Sequence, residues 1–234
     1  MDVQNIQRKL KQLGSKEKAK ILQRFFKTGP GEYGEGDAFI GIKVPELRKL
    51  AKEYDGITTP QVKRLLTSAI HEERLLSLFI LVRKYEKGDD AEKKGIYDLY
   101  LNHTKYVNNW DLVDGSAQHI VGAFLMNKKK EPLYRLAKST DFWERRISVL
   151  ATFYFIKHDK FTETLKIAQI LLTDREDLIH KAVGWMLREI GNRHLPAEEK
   201  FLKKHYKKMP RTMLRYAIEK FPESKRQKYL KGQI

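Results

Sequence analysis

Five apolar-rich stretches recur along this chain at intervals of about 35 residues, and that recurrence restricts the fold more than any other feature. They read HEERLLSLFILVRKY at 71–85, NWDLVDGSAQHIVGAFL at 109–125, FWERRISVLATFYFIKH at 142–158, EDLIHKAVGWMLREI at 176–190 and PRTMLRYAIEKF at 210–221. Their apolar residues fall at helical spacing, and sustained period-two alternation is hard to find. The run from Arg74 to Val82 could, taken alone, be a buried strand. Its flanks, HEER before and RKYEK after, carry the pattern past strand length, so a core helix is expected. A shorter, more polar helical segment precedes each stretch. Such helix pairs cannot bury their apolar faces alone, and stacked neighbours form a continuous core.

The expected fold is therefore all-α: a single-domain solenoid of HEAT-like helical repeats over residues 1–234 with a concave basic face. N-terminal helices occupy 1–27, a glycine-rich connector 28–43, and stacked repeats the chain from about 44 to 230. Helix starts are marked by proline in Val44-Pro45, Thr59-Pro60 and Leu195-Pro196, and by the capping-box spacing of Asp141 and Glu144.

Charge narrows the partner. Forty-seven Lys and Arg against thirty Asp and Glu leave a formal charge of +17, more than solubility needs, and nucleic acid is the commonest polyanion to answer it. The chain has no cysteine, which excludes disulfides and thiol chemistry and favours a reducing cytoplasm, where a DNA-binding protein would associate with the nucleoid. No apolar run approaches the roughly 18 residues of a membrane span, and MDVQNIQRKLKQLG reads as an amphipathic helix without the apolar core of a secretion signal.

Familiar catalytic motifs are missing. The histidines at 71, 103, 119, 158, 180, 194 and 205 show no i, i+4 pair and no HExxH spacing, so no metal and no cofactor are expected. Gly31, Gly34 and Gly36 lack a following Gly-Lys-Ser/Thr, and Glu32, Glu35 and Asp37 would repel phosphate. The segment is instead expected to let the N-terminal helices dock. Lys43 and Arg48 beyond it are candidates for contact with a nucleic-acid backbone, against the alternative of solvated surface charge.

Trp110 and Asp114 stand out because i, i+4 spacing puts an indole and a carboxylate on one helical face, about 6 Å apart at Cβ. Asp111 points about a third of a turn away. With Asn108 or Asn109 as N-cap, it reads as a first-turn charge answering the helix dipole. For Asp114 the alternative is a buried ion pair with Arg145 or Arg146. Lys181, Trp185 and Arg188 form an i, i+4, i+7 row, and cations interleaved with aromatics suit phosphates and nucleotide rings.

The segments FFKTGPGEYGEGDAFIGIKVPELRKLAK, NNWDLVD, FWERR and IHKAVGWMLRE, in this order and spacing, resemble the AlkD family of DNA alkylation-repair glycosylases, and the likeness runs over nearly the whole chain. The resemblance implies a solenoid that wraps duplex DNA and excises N3- and N7-alkylated purines, with alkylated double-stranded DNA as partner and the protein acting as a monomer. It implies that Asp114 is the catalytic carboxylate, that Trp110 and Trp185 bracket the lesion nucleotide's sugar, and that Arg146 holds a nearby phosphate. The family is understood to reach the sugar from the backbone side, without a flipped-base pocket. Where its best-studied members carry a tyrosine after an arginine in the second helix, this chain has Arg24-Phe25. The loss of that hydroxyl from a DNA contact bears on lesion range and affinity.

Two other functions fit parts of the sequence. A non-catalytic protein of the same fold, recognising damaged or branched DNA, needs the charge and the repeats but no carboxylate. A helical-repeat scaffold for an acidic protein gives no reason for Trp110, Asp114 and Trp185 together.

Overall fold

Helix starts follow from the side chains that cap them. In the computed structural model, which describes residues 2–234, Ser15, Asp89, Asn109 and Asp141 each occupy an N-cap and accept a hydrogen bond from a backbone N–H just inside the helix. Among the described residues there is no strand, only an isolated parallel bridge between Ala38 and Ile70. No helix among them is long and apolar enough to cross a membrane. The chain divides into two compact units, one ending at Ile120 and one spanning Val121–Ile234.

The first unit contains α1 (Val3–Leu13), α2 (Lys16–Phe25), α3 (Val44–Glu53), α4 (Thr59–Leu66), α5 (His71–Lys87), α6 (Asp90–Leu101) and α7 (Trp110–Asp114). Its axis is α5, which packs against α3, α4, α6 and α7 and buries every residue from His71 to Leu81. A helix covered on all sides shows no polar face, which is why its middle taken alone resembles a strand. Its first turn, His71-Glu72-Glu73-Arg74, lies at 1 to 3% exposure. Charges that deep must each find a partner.

The segment between α2 and α3 supplies several of those partners. The Glu72 carboxylate accepts from the backbone N–H groups of Ile40, Gly41 and Ile42, and Glu73 accepts from Gln7 of α1 at 2.8 Å. Gly41 has a φ of +86°, and a Cβ there would stand 2.2 Å from the Ser15 carbonyl oxygen, so the close approach of this segment to α2 requires glycine. Ser15 in turn donates its N–H to the Ile40 carbonyl at 2.8 Å. The connector thus lies against the N-terminal end of α2. Glu32 and Glu35 accept from the N–H groups of Gly29 and Gly31, so these carboxylates shape the loop.

The second unit holds α8 (Ala123–Leu125), α9 (Glu131–Ala137), α10 (Phe142–Ile156), α11 (Thr162–Ile170), α12 (Asp177–His205), α13 (Arg211–Ala217) and α14 (Glu223–Leu230). Helix α10 packs on α9, α11 and α12, and α12 on α13, the neighbour-to-neighbour pattern of helical repeats. The expected start at Leu195-Pro196 is a kink: His194 leaves helical geometry (φ −149°, ψ 79°) and a second helical segment follows within α12.

The stretch 109–125 departs most from the expected continuous helix. Only five residues form α7; a turn at Gly115 follows, then a π-helical segment Gln118–Gly122 and α8. Gly122 lies so close to α10 that a Cβ would stand 2.1 Å from the Ala151 carbonyl oxygen. Single π turns are rare and are found frequently at functional sites.

Candidate active site

Helix α7 is too short to hold its own direction, since one turn yields few backbone hydrogen bonds for the dihedrals it fixes. Its placement comes from side chains around its first residue. Asn109, fully buried, accepts the Trp110 N–H at 2.8 Å and donates its amide to Asp37 Oδ2 at 3.2 Å. Asp37 also takes Arg74 and, at 3.0 Å, Nδ1 of His71. The other ring nitrogen, Nε2, stands 2.9 Å from Asp111 Oδ2, and Asp111 Oδ1 accepts the Leu112 N–H at 2.9 Å. Asp111 is therefore a first-turn carboxylate, as its position suggested, but His71 is its principal partner.

This network is electrostatically closed. Burial alone would pull the His71 pKa down, but the hydrogen bonds and charges of Asp111 and Asp37 outweigh it and raise it to about 9. Burial likewise opposes ionisation of Asp37, yet His71 and Arg74 hold its carboxyl below the usual range. Two cations, His71 and Arg74, thus balance two carboxylates, Asp37 and Asp111.

An aromatic stack runs beside it. The Trp110 indole lies on Phe26 with centroids 5.1 Å apart, Phe26 on Phe39 at 5.1 Å, and Phe39 on the His71 ring at 4.3 Å. Phe25 meets the indole edge-on at 5.8 Å, and Trp110 Nε1 donates to the Tyr33 hydroxyl at 3.3 Å. Tyr33 escaped sequence reasoning because it is 77 residues from Trp110. The indole is half-buried and fixed on two sides. One turn on, the half-buried Asp114 acts on Tyr100. Burial first, and then the Asp114 charge, pushes that hydroxyl's pKa up, while a hydrogen bond with Ser116 opposes the shift. Tyr100 and Ser116 are both fully buried, their oxygens 3.0 Å apart, beneath the site helix.

A cavity of about 540 Å³ opens beside this stack, lined by Ile21, Phe25, Val44, Leu75, Trp110 and Asp111 among others. Phe25 is 61% exposed and Ile21 60%. Lys43 caps α3 and is exposed; Arg48 is exposed with its guanidinium 4.2 Å above the Phe79 ring.

The remaining candidates belong to the second unit. Lys181, Trp185 and Arg188 do share α12 and are half-buried. Lys181 pairs with Asp177 at 2.8 Å, Trp185 Nε1 donates to Glu189 at 3.0 Å with Phe153 against its ring, and Arg188 pairs with Glu219. Arg146 on α10 is 5% exposed and donates to the Leu178 carbonyl at 2.5 Å. Arg145 is committed to Asp174 and to the carbonyls of Ser139 and Thr140. Trp143 is core, at 5% exposure. Among the described residues no group of three or more His, Asp or Glu is placed to hold a metal ion.

Fold and charge together define a basic all-α protein of the helical-repeat class, with an indole and a carboxylate presented from one short, externally braced helix. The model of a family described as DNA alkylation repair enzyme matches residues 6–221, and the chain belongs to that family. DNA is the partner that membership implies. Among solved structures it is similar to a "predicted DNA alkylation repair enzyme" from Enterococcus faecalis, at 16% identity and a TM-score of 0.68 over 90% of this chain and 97% of that one. It is also similar to AlkD2 from Streptococcus mutans, at 18% identity and a TM-score of 0.52 over 88% and 98%. No curated protein matches the sequence.

Proposed function

We propose that the protein is a DNA glycosylase that releases N3- and N7-alkylated purines from duplex DNA, and that residues 1–234 act as one DNA-binding domain, as a monomer and in the cytoplasm. The observation that carries this reading is the pair Trp110 and Asp114 on a braced α7, in a chain of the DNA alkylation repair family.

Alkylation at N7 of guanine or N3 of adenine makes the base cationic. When the C1′–N bond breaks, its electron pair goes to the base, which leaves neutral, so no general acid is needed. Positive charge passes to the deoxyribose as an oxocarbenium-like transition state, which a carboxylate and an electron-rich indole face stabilise. Water, oriented by Asp114, then adds at C1′ and gives up a proton to solvent. In this reading Trp110 and Trp185 bracket the sugar and Arg146 holds a nearby phosphate. Lys181, Arg188, Lys43 and Arg48 contribute further backbone contacts, and Phe25 offers an apolar surface beside Trp110. No flipped-base pocket is required.

A second reading, DNA binding without catalysis, needs the net charge of +17 and the helical repeats but no carboxylate. The test is incubation with duplex DNA carrying 7-methylguanine or 3-methyladenine, with free base measured against the spontaneous rate. Release above that rate is expected, together with binding that weakens steeply as salt rises. Binding with no release would select the second reading.

A further inference from the structure

The buried cluster at the start of α5 has no part in the chemistry just described, yet its members are tied to one another by four side-chain hydrogen bonds. His71 is 1% exposed and places both ring nitrogens against carboxylates, Asp37 at 3.0 Å and Asp111 at 2.9 Å. The two carboxylates come from different segments: Asp37 from the connector and Asp111 from the second residue of the site helix. We propose that His71 is a positioning residue for the Trp110–Asp114 face: donating from both ring nitrogens, it ties the start of α7 to the frame of α5 and the connector and so sets where indole and carboxylate point. This inference rests on the glycosylase reading for its effect on catalysis, but its structural part stands without it.

Three observations lead there. First, α7 has five residues, and a turn and a π-helical segment follow it, so no long helix transmits direction from the C-terminal side. Second, its N-terminal side is gripped at three consecutive residues. Asn109 reaches Asp37, Trp110 lies on the Phe26–Phe39 stack, and Asp111 reaches His71. His71 is common to the polar and aromatic arms, because Phe39 stacks on its ring at 4.3 Å. Third, the charges close only if the ring carries both protons. A neutral imidazole has one N–H, which would leave one carboxylate facing a lone pair at hydrogen-bond distance and an excess negative charge in the interior.

The surroundings of the ring are fully specified. Asp37 faces it from the connector, Asp111 from α7, and Arg74 completes the set from α5 itself. Phe39 stacks on the ring at 4.3 Å and Phe26 lies tilted beside it at 5.2 Å, both without charge. The neighbouring Glu72 and Glu73 are turned to the backbone of residues 40–42 and to Gln7. Asp37 and Asp111 are the groups that hold the His71 proton, and its pKa of about 9 follows from them.

The experiment compares the full-length protein with His71→Gln and with the charge-matched double variant His71→Gln/Asp111→Asn. Single-turnover release of 7-methylguanine, DNA affinity, and backbone hydrogen exchange at pH 7 are measured for each. For His71→Gln the expected results are a release rate lower by about 10- to 100-fold, the cost of a small misplacement, an affinity changed less than about threefold, and faster exchange confined to residues 107–117. The double variant recovers part of the rate. In the wild type, release declines as pH rises through about 9, and His71→Gln shows no such decline. Unchanged rate and unchanged exchange in His71→Gln would overturn the proposal. Faster exchange spread evenly over the unit would also overturn it, in favour of a general stabilising role. If the wild type releases no base, the glycosylase reading fails, and the exchange at 107–117 still decides whether His71 positions α7.

Discussion

Helices α7 and α10 are held in place by opposite means. Helix α10 has fifteen residues, an N-cap in which Asp141 accepts the Trp143 N–H at 2.8 Å, and a core side that includes Ile147, Leu150, Phe155 and Ile156 at no more than 1% exposure. Its own backbone and its apolar contacts fix it. Helix α7 has five residues; besides burying Leu112 and Val113, it takes its direction from charges and rings of other segments. A carboxylate placed by packing is robust but coarse. One placed by a closed charge network is set more finely and depends on every member of that network.

The comparison can be broken most severely at Arg74. Arg74→Met removes one cation from the buried set and leaves Asp37 short of a partner; a loss of about 3–5 kcal/mol of stability is expected from chemical denaturation, with α7 the first segment to lose exchange protection. In α10, Leu150→Ala should cost a comparable or smaller amount, about 2–5 kcal/mol, by opening a cavity. DNA-independent exchange at α7 should then stay as in the wild type. Asp141→Ala removes only the α10 cap and should cost about 1 kcal/mol in the same denaturation measurement.

The His71 clasp adds a pH dependence to the α7 side of the comparison. Because the folded pKa is raised above 6.5 to about 9, the stabilisation is fully present below pH 6.5 and is lost as pH rises through about 9. The stability difference between the wild type and His71→Gln should shrink over that range. Glu198 on α12, whose carboxyl burial and then Glu199 push up to about 8, titrates identically in both proteins and cancels from the difference.

What was legible in the sequence follows from the same contrast. Features governed by neighbours along the chain could be read: the proline starts of α3 and α4, the Asp141 cap, a cap at Asn108 or Asn109 that the structure places at Asn109, a helix start at Leu195-Pro196 that the structure shows as a kink, and α5 as a helix. So could the Lys181, Trp185, Arg188 row and the i, i+4 relation of Trp110 to Asp114. The network was not legible, because its hydrogen-bonded pairs are 34 to 72 residues apart and no spacing rule pairs them. HEER counted in the sequence only as a flank that carries the helical pattern past strand length, and four consecutive ionisable residues at a helix start give no local sign of burial. Here the first turn is as buried as the middle. Asp37 looked like a loop charge unfriendly to phosphate, and its role emerges only when Arg74 and His71 are seen against it. The break of 109–125 into α7, a turn and a π segment had a local trace in Gly115 and Gly122, but the reason, the close approach of Gly122 to Ala151, is tertiary.

The central claim is that the braced carboxylate of Asp114 stabilises charge on the sugar, and Asp114→Asn tests it most directly. Single-turnover release of 7-methylguanine from duplex DNA should fall by an amount equivalent to about 2–4 kcal/mol of transition-state stabilisation, while DNA affinity and folding are kept. Release at the wild-type rate from a folded, DNA-bound Asp114→Asn protein would contradict it.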